Sequence, residues 1–150
     1  GAAALLFANE KGLKAQGLTP LAEIVSSAVV GVEPRIMGIG PVKASEIALQ
    51  RAGIGFEDLD VIELNEAFSA QALSCIRAWG LADDDARINP NGGGISLGHP
   101  LGMTGSRILL SAANHLKRTG GTYGLVTLCI GVGQGFAVVI KNATNANISL

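Results

Sequence analysis

Apolar residues recur along the chain with two different periods. Short runs dense in apolar or β-branched residues lie at AAALLFA (residues 2–8), LAEIVSSAVVGVE (21–33), DVIEL (60–64), TYGLVTLCIG (122–131) and GFAVVIK (135–141), and each predicts a strand. Between them the apolar positions return every third or fourth residue. A short helix is expected from Asn9 to Gly17, and a second opens at Pro41, carries Val42, Ile47, Ala48, Leu49 and Ala52 on one face, and stops at Gly53. A third runs from a cap at Asn65 to Trp79, with Phe68, Ala72, Cys75 and Ile76 sharing a side. A fourth starts at Gly105 or Ser106, buries Leu109, Ala112, Ala113 and Leu116, and ends in LKRTGG, while residues 81–105 read as loop. Alternating strands and helices predict an α/β fold with a mostly parallel sheet. The short link between the last two strands makes that pair antiparallel, so the expectation is a five-stranded mixed sheet flanked by helices.

Composition narrows the class. With 150 residues and 48% hydrophobic content, one domain with a sizeable core is expected over residues 1–141, and 142–150, which have no core pattern, read as a flexible tail. The net charge of -1 hides an asymmetry, since residues 1–85 hold all twelve acids and residues 86–150 hold five basic residues and none. The second part therefore suits an anionic ligand, whereas Arg87, Arg107, Lys117, Arg118 and Lys141 are too dispersed for a nucleic-acid-binding stripe. Cys75 and Cys129 form no CxxC pair, which points to a reducing compartment. No apolar run is long enough for a membrane span and no signal peptide is evident, so a cytoplasmic protein is expected, with mitochondria or peroxisomes as alternatives for a eukaryotic source. Because residue 1 is glycine and the first methionine is Met37, the chain reads as a piece of something larger.

Candidate chemistry concentrates in NGGGISLGHPLGMTG (91–105), where six of fifteen residues are glycine. His99 sits there in a loop, and the flanking glycines let backbone amides or a substrate come close. GISLG (94–98) matches the G-x-S-x-G elbow of serine hydrolases, but no strand precedes it and no acid follows Ser96 anywhere in the chain. Cys129 ends a strand and enters GVGQG, a turn whose N–H groups can face a ligand, so its thiol is placed for acid–base or nucleophilic work. Cys75 reads as a small buried hydrophobe, and His115, beside Lys117 and Arg118, as a cation suited to a helix C-terminus. His99 and Cys129 lack further ligands at suitable spacing, so no metal site is expected. Asn65 reads as a helix cap that could equally orient a water or an anionic oxygen at a strand's carboxyl end.

Taken in order, NEAF (65–68), NGGGISLGHPLGMTG (91–105) and CIGVGQG (129–135) resemble the C-terminal half of a thiolase, and PRIMGIGPVKA (34–44) is also similar to that family. The likeness extends over residues 1–141 and implies one half of the thiolase fold. It further implies acyl transfer between CoA thioesters, either thiolysis of a 3-oxoacyl-CoA or condensation of acetyl-CoA, through an acyl group carried on a cysteine. By this resemblance His99 would activate the nucleophile and bind a thioester oxygen, and Cys129 would exchange the proton of the acetyl-CoA methyl group. Asn65 would hold the water of one oxyanion site, the Gly131 N–H would serve the other, and Met37, Ala67 and Phe68 would line the pantetheine and acyl pocket.

The acyl-carrying cysteine of the family belongs to an N-terminal half, and neither Cys75 nor Cys129 matches it. The resemblance therefore implies a missing N-terminal partner half, an isolated chain without activity, a homo-oligomer in the full protein, and coenzyme A and acyl-CoA as substrates with no permanently bound cofactor. Val132 stands where the family's CIGGGQG pattern has a glycine, a change expected to alter substrate size or activity if its side chain enters the site. A non-catalytic thiolase-fold module for assembly or acyl-CoA binding is the alternative reading.

Overall fold

The structure, a computed structural model, describes residues 1–143. The elements run α1 (Glu10–Gln16), β1 (Ala22–Gly31), α2 (Gly40–Ala52), β2 (Leu59–Leu64), α3 (Ser69–Ala78), α4 (Gly94–Leu97), α5 (Thr104–Thr119), β3 (Tyr123–Ile130) and β4 (Gln134–Asn142). Short 3-10 turns precede α2, at Pro34–Ile39, and β2, at Phe56–Asp58. Helix ends follow local chemistry. Asn9 caps α1 by accepting from the Gly12 N–H at 2.9 Å, and Gly53 and Gly120 close α2 and α5 in the left-handed conformation that glycine adopts without steric cost.

The four strands form one sheet in the order β1-β4-β3-β2. β1 and β3 both pair antiparallel with β4, and only β2 and β3 are parallel, so the sheet is mixed but mostly antiparallel rather than mostly parallel. The expected fifth strand at residues 2–8 does not form, and Leu6 and Phe7 are exposed. Apart from Phe7 that run is alanine and leucine without β-branched residues, so most of its apolar character came without strand propensity. The free edge of β2 is instead occupied by the loop after α3, where the Ile62 N–H donates to the Arg87 carbonyl at 2.9 Å and the Asn89 N–H donates to the Ile62 carbonyl at 2.8 Å.

The sheet separates two apolar layers. On one face α2 and α3 pack Ala44, Ala48, Leu49, Ala72, Cys75 and Ile76 against Ile62, Leu64, Leu125 and Val139. On the other, α5 sets Ile108, Ala112, Ala113 and Leu116 against Val61, Val126, Val138 and Ile140. The expected stripe on α5 is therefore shifted, with Ile108 buried and Leu109 only partly so. β4 reaches Asn142, one residue past the expected domain limit, and the Asn142 amide donates to the Leu116 and Gly121 carbonyls at 3.1 and 2.8 Å. The remainder of the tail, residues 144–150, lies outside the described residues. Among the described residues, no helix is long and apolar enough to cross a membrane.

Candidate active site

The carboxyl ends of the parallel pair β2 and β3 create the site. Asn65 follows β2 directly, and its N–H donates to the Thr127 carbonyl at 3.0 Å, which continues the ladder by one residue. The expectation that Asn65 caps the next helix is not met. α3 begins only at Ser69, with Phe68 at its N-cap position and no side-chain cap. The Asn65 side chain, buried with the rest of the residue, is thereby released for another partner, and its Nδ2 lies 3.3 Å from His99 Nε2.

His99 is held from both sides, and its second contact fixes where its proton resides. Nδ1 lies 2.7 Å from the Thr104 hydroxyl oxygen, and that hydroxyl donates to the Pro100 carbonyl at 3.1 Å. A hydroxyl has one hydrogen, so Thr104 accepts from an Nδ1–H, and Nε2 is left with its lone pair facing the Asn65 amide donor. A neutral imidazole in this tautomer, aimed at the strand ends, is a general base or a hydrogen-bond partner for a substrate oxygen.

The glycines around His99 allow the loop to lie directly on NEAF. A side chain at Gly93 would drive its Cβ into the Glu66 carboxylate, which would have to leave its place. Glu66 is the anchor, accepting from the Ile95 N–H at 3.0 Å and from Asn89 Nδ2 at 2.9 Å. Asn89, in the left-handed region at φ 46°, also joins the edge of β2 through the Leu64 N–H and carbonyl, at 2.9 and 2.8 Å. Ser96 lies in the single turn α4, its hydroxyl 3.4 Å from the Gly93 carbonyl, with no strand leading into it.

Cys129 is buried near the end of β3, two residues beyond Thr127, and burial pushes its thiol above the ordinary value. Gly131 follows in the exposed turn between β3 and β4. Val132 in the same turn is 86% exposed and takes a left-handed backbone at φ 72°, unusual for a β-branched residue. Met37 is half-buried in the turn before α2, Ala67 is half-buried and Phe68 is exposed. Cys75 is fully buried, donates to the Gly38 carbonyl at 3.4 Å, and is pushed to about 11 chiefly by burial, as an inert core thiol should be. His115 corrects its expectation. Burial and then the nearby Arg118 hold it below the ordinary histidine value, so it favours the neutral form, and Lys117 and Arg118 are the cations of the last turn of α5.

The structure thus brings His99 and Asn65 into contact and puts Cys129 on β3, the strand that pairs with β2 beside Asn65. Sequence reasoning missed Thr104, Glu66 and Asn89, all of which hold the site in place. It also missed Glu63, fully buried on β2 and 3.8 Å from Arg107 of α5, although an acid inside the apolar run DVIEL was a visible signal. Among the described residues, no group of three or more His, Cys, Asp or Glu side chains could hold a metal ion.

Residues 18–142 match the family model described as "Thiolase, C-terminal domain". The chain belongs to this family. This thiolase C-terminal domain is 58% identical over 141 residues to the 3-oxoadipyl-CoA/3-oxo-5,6-dehydrosuberyl-CoA thiolase of Escherichia coli (strain K12), a match covering 94% of the chain and 35% of that protein. It is 54% identical over 142 residues to a 3-ketoacyl-CoA thiolase of Serratia proteamaculans (strain 568), covering 94% of the chain and 37% of the relative. The crystal structure of human mitochondrial 3-ketoacyl-CoA thiolase superposes with a TM-score of 0.86 at 48% identity, over 90% of this chain and 34% of that one. A structure of the same human enzyme in complex with CoA gives 0.85, with 89% and 33% coverage. The thiolase C-terminal domain therefore spans about a third of the length of these relatives.

Proposed function

We propose that this domain supplies His99 and Cys129 to a thiolase that transfers acyl groups between CoA thioesters, with the nucleophilic cysteine on a segment outside this chain. The observation that carries the reading is the His99 ring, gripped at Nδ1 by Thr104 and presenting the Nε2 lone pair toward Asn65 Nδ2 at the ends of β2 and β3. From there Nε2 can take the proton of an incoming thiol and, once protonated, donate to a thioester oxygen. Asn65 would hold the water that completes one oxyanion site and the Gly131 N–H adds a donor to the other, where negative charge develops, and each such donor is typically worth about 2.7–4 kcal/mol when tested by removal. Cys129, kept as a thiol by burial, holds the proton that the acetyl-CoA carbanion needs when a 3-oxoacyl-CoA is cleaved. In the condensation direction the same sulfur, as the thiolate, removes that proton and becomes the thiol. Met37, Ala67 and Phe68 offer apolar surface to the pantetheine and acyl chain. Coenzyme A and its thioesters enter and leave as substrates rather than as resident cofactors.

The acid-free stretch 86–150 suits the phosphates of CoA, and relatives named for 3-oxoadipyl-CoA and β-ketoadipyl-CoA, 51–58% identical, favour a 3-oxoadipyl thioester as the acyl donor. Bacterial relatives and two unpaired cysteines support a reducing, cytoplasmic setting, and the full protein is a homo-oligomer on this reading. The test is thiolysis by the full-length protein with 3-oxoadipyl-CoA and an unbranched 3-oxoacyl-CoA, alongside H99A and C129A. Turnover that both substitutions abolish supports the proposal. A full-length chain that carries the nucleophile, binds CoA thioesters and never turns over would make the domain a non-catalytic acyl-CoA-binding module.

A further inference from the structure

Glu63 and Arg107 form an unusual pair. Glu63 is fully buried on β2 and neither carboxylate oxygen accepts a hydrogen bond, while Arg107, on the second turn of α5, keeps both terminal nitrogens buried and unbonded. The two groups face each other at 3.8 Å, so with Glu63 ionised, attraction without hydrogen bonding draws them together. Their positions explain what this attraction can do. Side chains two apart on a strand share a face, and Val61, Glu63 and Asn65 form such a row, with Val61 packed in the α5 layer. On α5, Arg107 lies three residues after Thr104, which puts both on one side of the helix. The pair therefore bridges the two elements that grip His99, one step behind each contact, since Asn65 reaches Nε2 and Thr104 reaches Nδ1.

We propose that Glu63 and Arg107 are positioning residues that draw the start of α5 onto the end of β2 and so hold the His99 ring between Thr104 and Asn65. The pair touches no reacting atom in this arrangement and acts only through those two contacts. A purely stabilising role would be a poor use of it, because a buried ion pair replaced by apolar residues of similar volume is often neutral or stabilising. That rule also provides a variant that folds. Because the contact lacks the bidentate geometry for which arginine is required, a lysine at 107 retains the relevant charge.

The test uses the full-length enzyme with E63L/R107M and R107K, and reads both thiolysis kinetics and the ring nitrogens of His99 by NMR. The kinetic reading rests on the proposed thiolase activity, and the NMR reading does not. E63L/R107M should fold, lower kcat about 10–100-fold as a misplaced catalytic group does, and leave KM within about twofold. Its His99 nitrogen signals should lose their fixed-tautomer pattern, whereas R107K should keep the pattern and most of the rate. A folded E63L/R107M with wild-type His99 signals overturns the proposal whatever its kcat, and so does R107K behaving like the double variant. A wild-type enzyme that lacks thiolysis while E63L/R107M still frees the ring would sustain the positioning role and reject the activity.

Discussion

Thr104 donates its only hydroxyl hydrogen to Pro100 and lies 2.7 Å from His99 Nδ1, so one threonine decides which nitrogen of the imidazole carries the proton. T104V preserves the shape of the side chain but leaves the Nδ1–H without a partner, while the Pro100 carbonyl keeps the Met103 and Thr104 N–H groups. Loss of a buried hydrogen-bond partner costs about 1–3 kcal/mol, so the urea midpoint of the chain should fall accordingly. In the full-length protein the same variant should lower thiolysis far more than its stability loss explains, because the ring can then rotate or exchange tautomers.

Glu66 anchors the glycine loop through two hydrogen bonds to a carboxylate, from the Ile95 N–H and from Asn89. Hydrogen bonds to charged groups contribute about 1.5–3 kcal/mol each. E66Q, whose amide presents one acceptor and one donor, should destabilise less than E66A, and amide hydrogen exchange should quicken specifically across residues 91–98. Uniform exchange in both variants would remove Glu66 from its anchoring role.

Burial pushes Glu63 up to about 7, against the lowering by Arg107, so the folded chain retains that proton at pH values where the unfolded chain has released it. Native Glu63 binds the proton more tightly between pH 4.5 and about 7, which makes its contribution fall as pH rises through this window and stay constant above it. At about 1.4 kcal/mol per pKa unit the loss is on the order of 3 kcal/mol. Chemical denaturation at pH 5 and pH 8 should show the slope, and E63Q should flatten it. An unchanged slope in E63Q would assign the pH dependence to other groups.

Val132 adopts φ 72° in the turn after Cys129 with its side chain 86% exposed, so it gains little from burial and bears the strain of a left-handed β-branched residue. That conformation costs about 1–2 kcal/mol, and glycine returns part of the gain through its greater freedom when unfolded, about 0.5–1 kcal/mol. V132G should therefore stabilise the chain by up to about 1 kcal/mol, read as a rise in Tm of about 2–4 °C. A fall in Tm would mean that the valine side chain holds the turn.

Much of the fold was legible because its helices carry their own punctuation. Asn9 and Gly17 bound α1, and Gly53 and Gly120 end α2 and α5 where the residues predicted. The sheet was less legible, since pairing direction depends on which edges meet and AAALLFA has apolar content without a partner edge. At the site, the residues proposed to act, His99, Cys129 and Asn65, stood out by type. The residues that hold them did not. Thr104 looks like any helix-start threonine, and Asn65 looked like a cap because nothing in NEAF reveals that α3 waits until Ser69.

The most direct measurement is the pair of ring-nitrogen shifts of His99 in selectively labelled chain at alkaline pH. The structure predicts a protonated, pyrrole-like Nδ1 and a pyridine-like Nε2, with T104V destroying the distinction. A protonated Nε2, or averaged signals in the unsubstituted chain, would contradict a base held ready by Thr104.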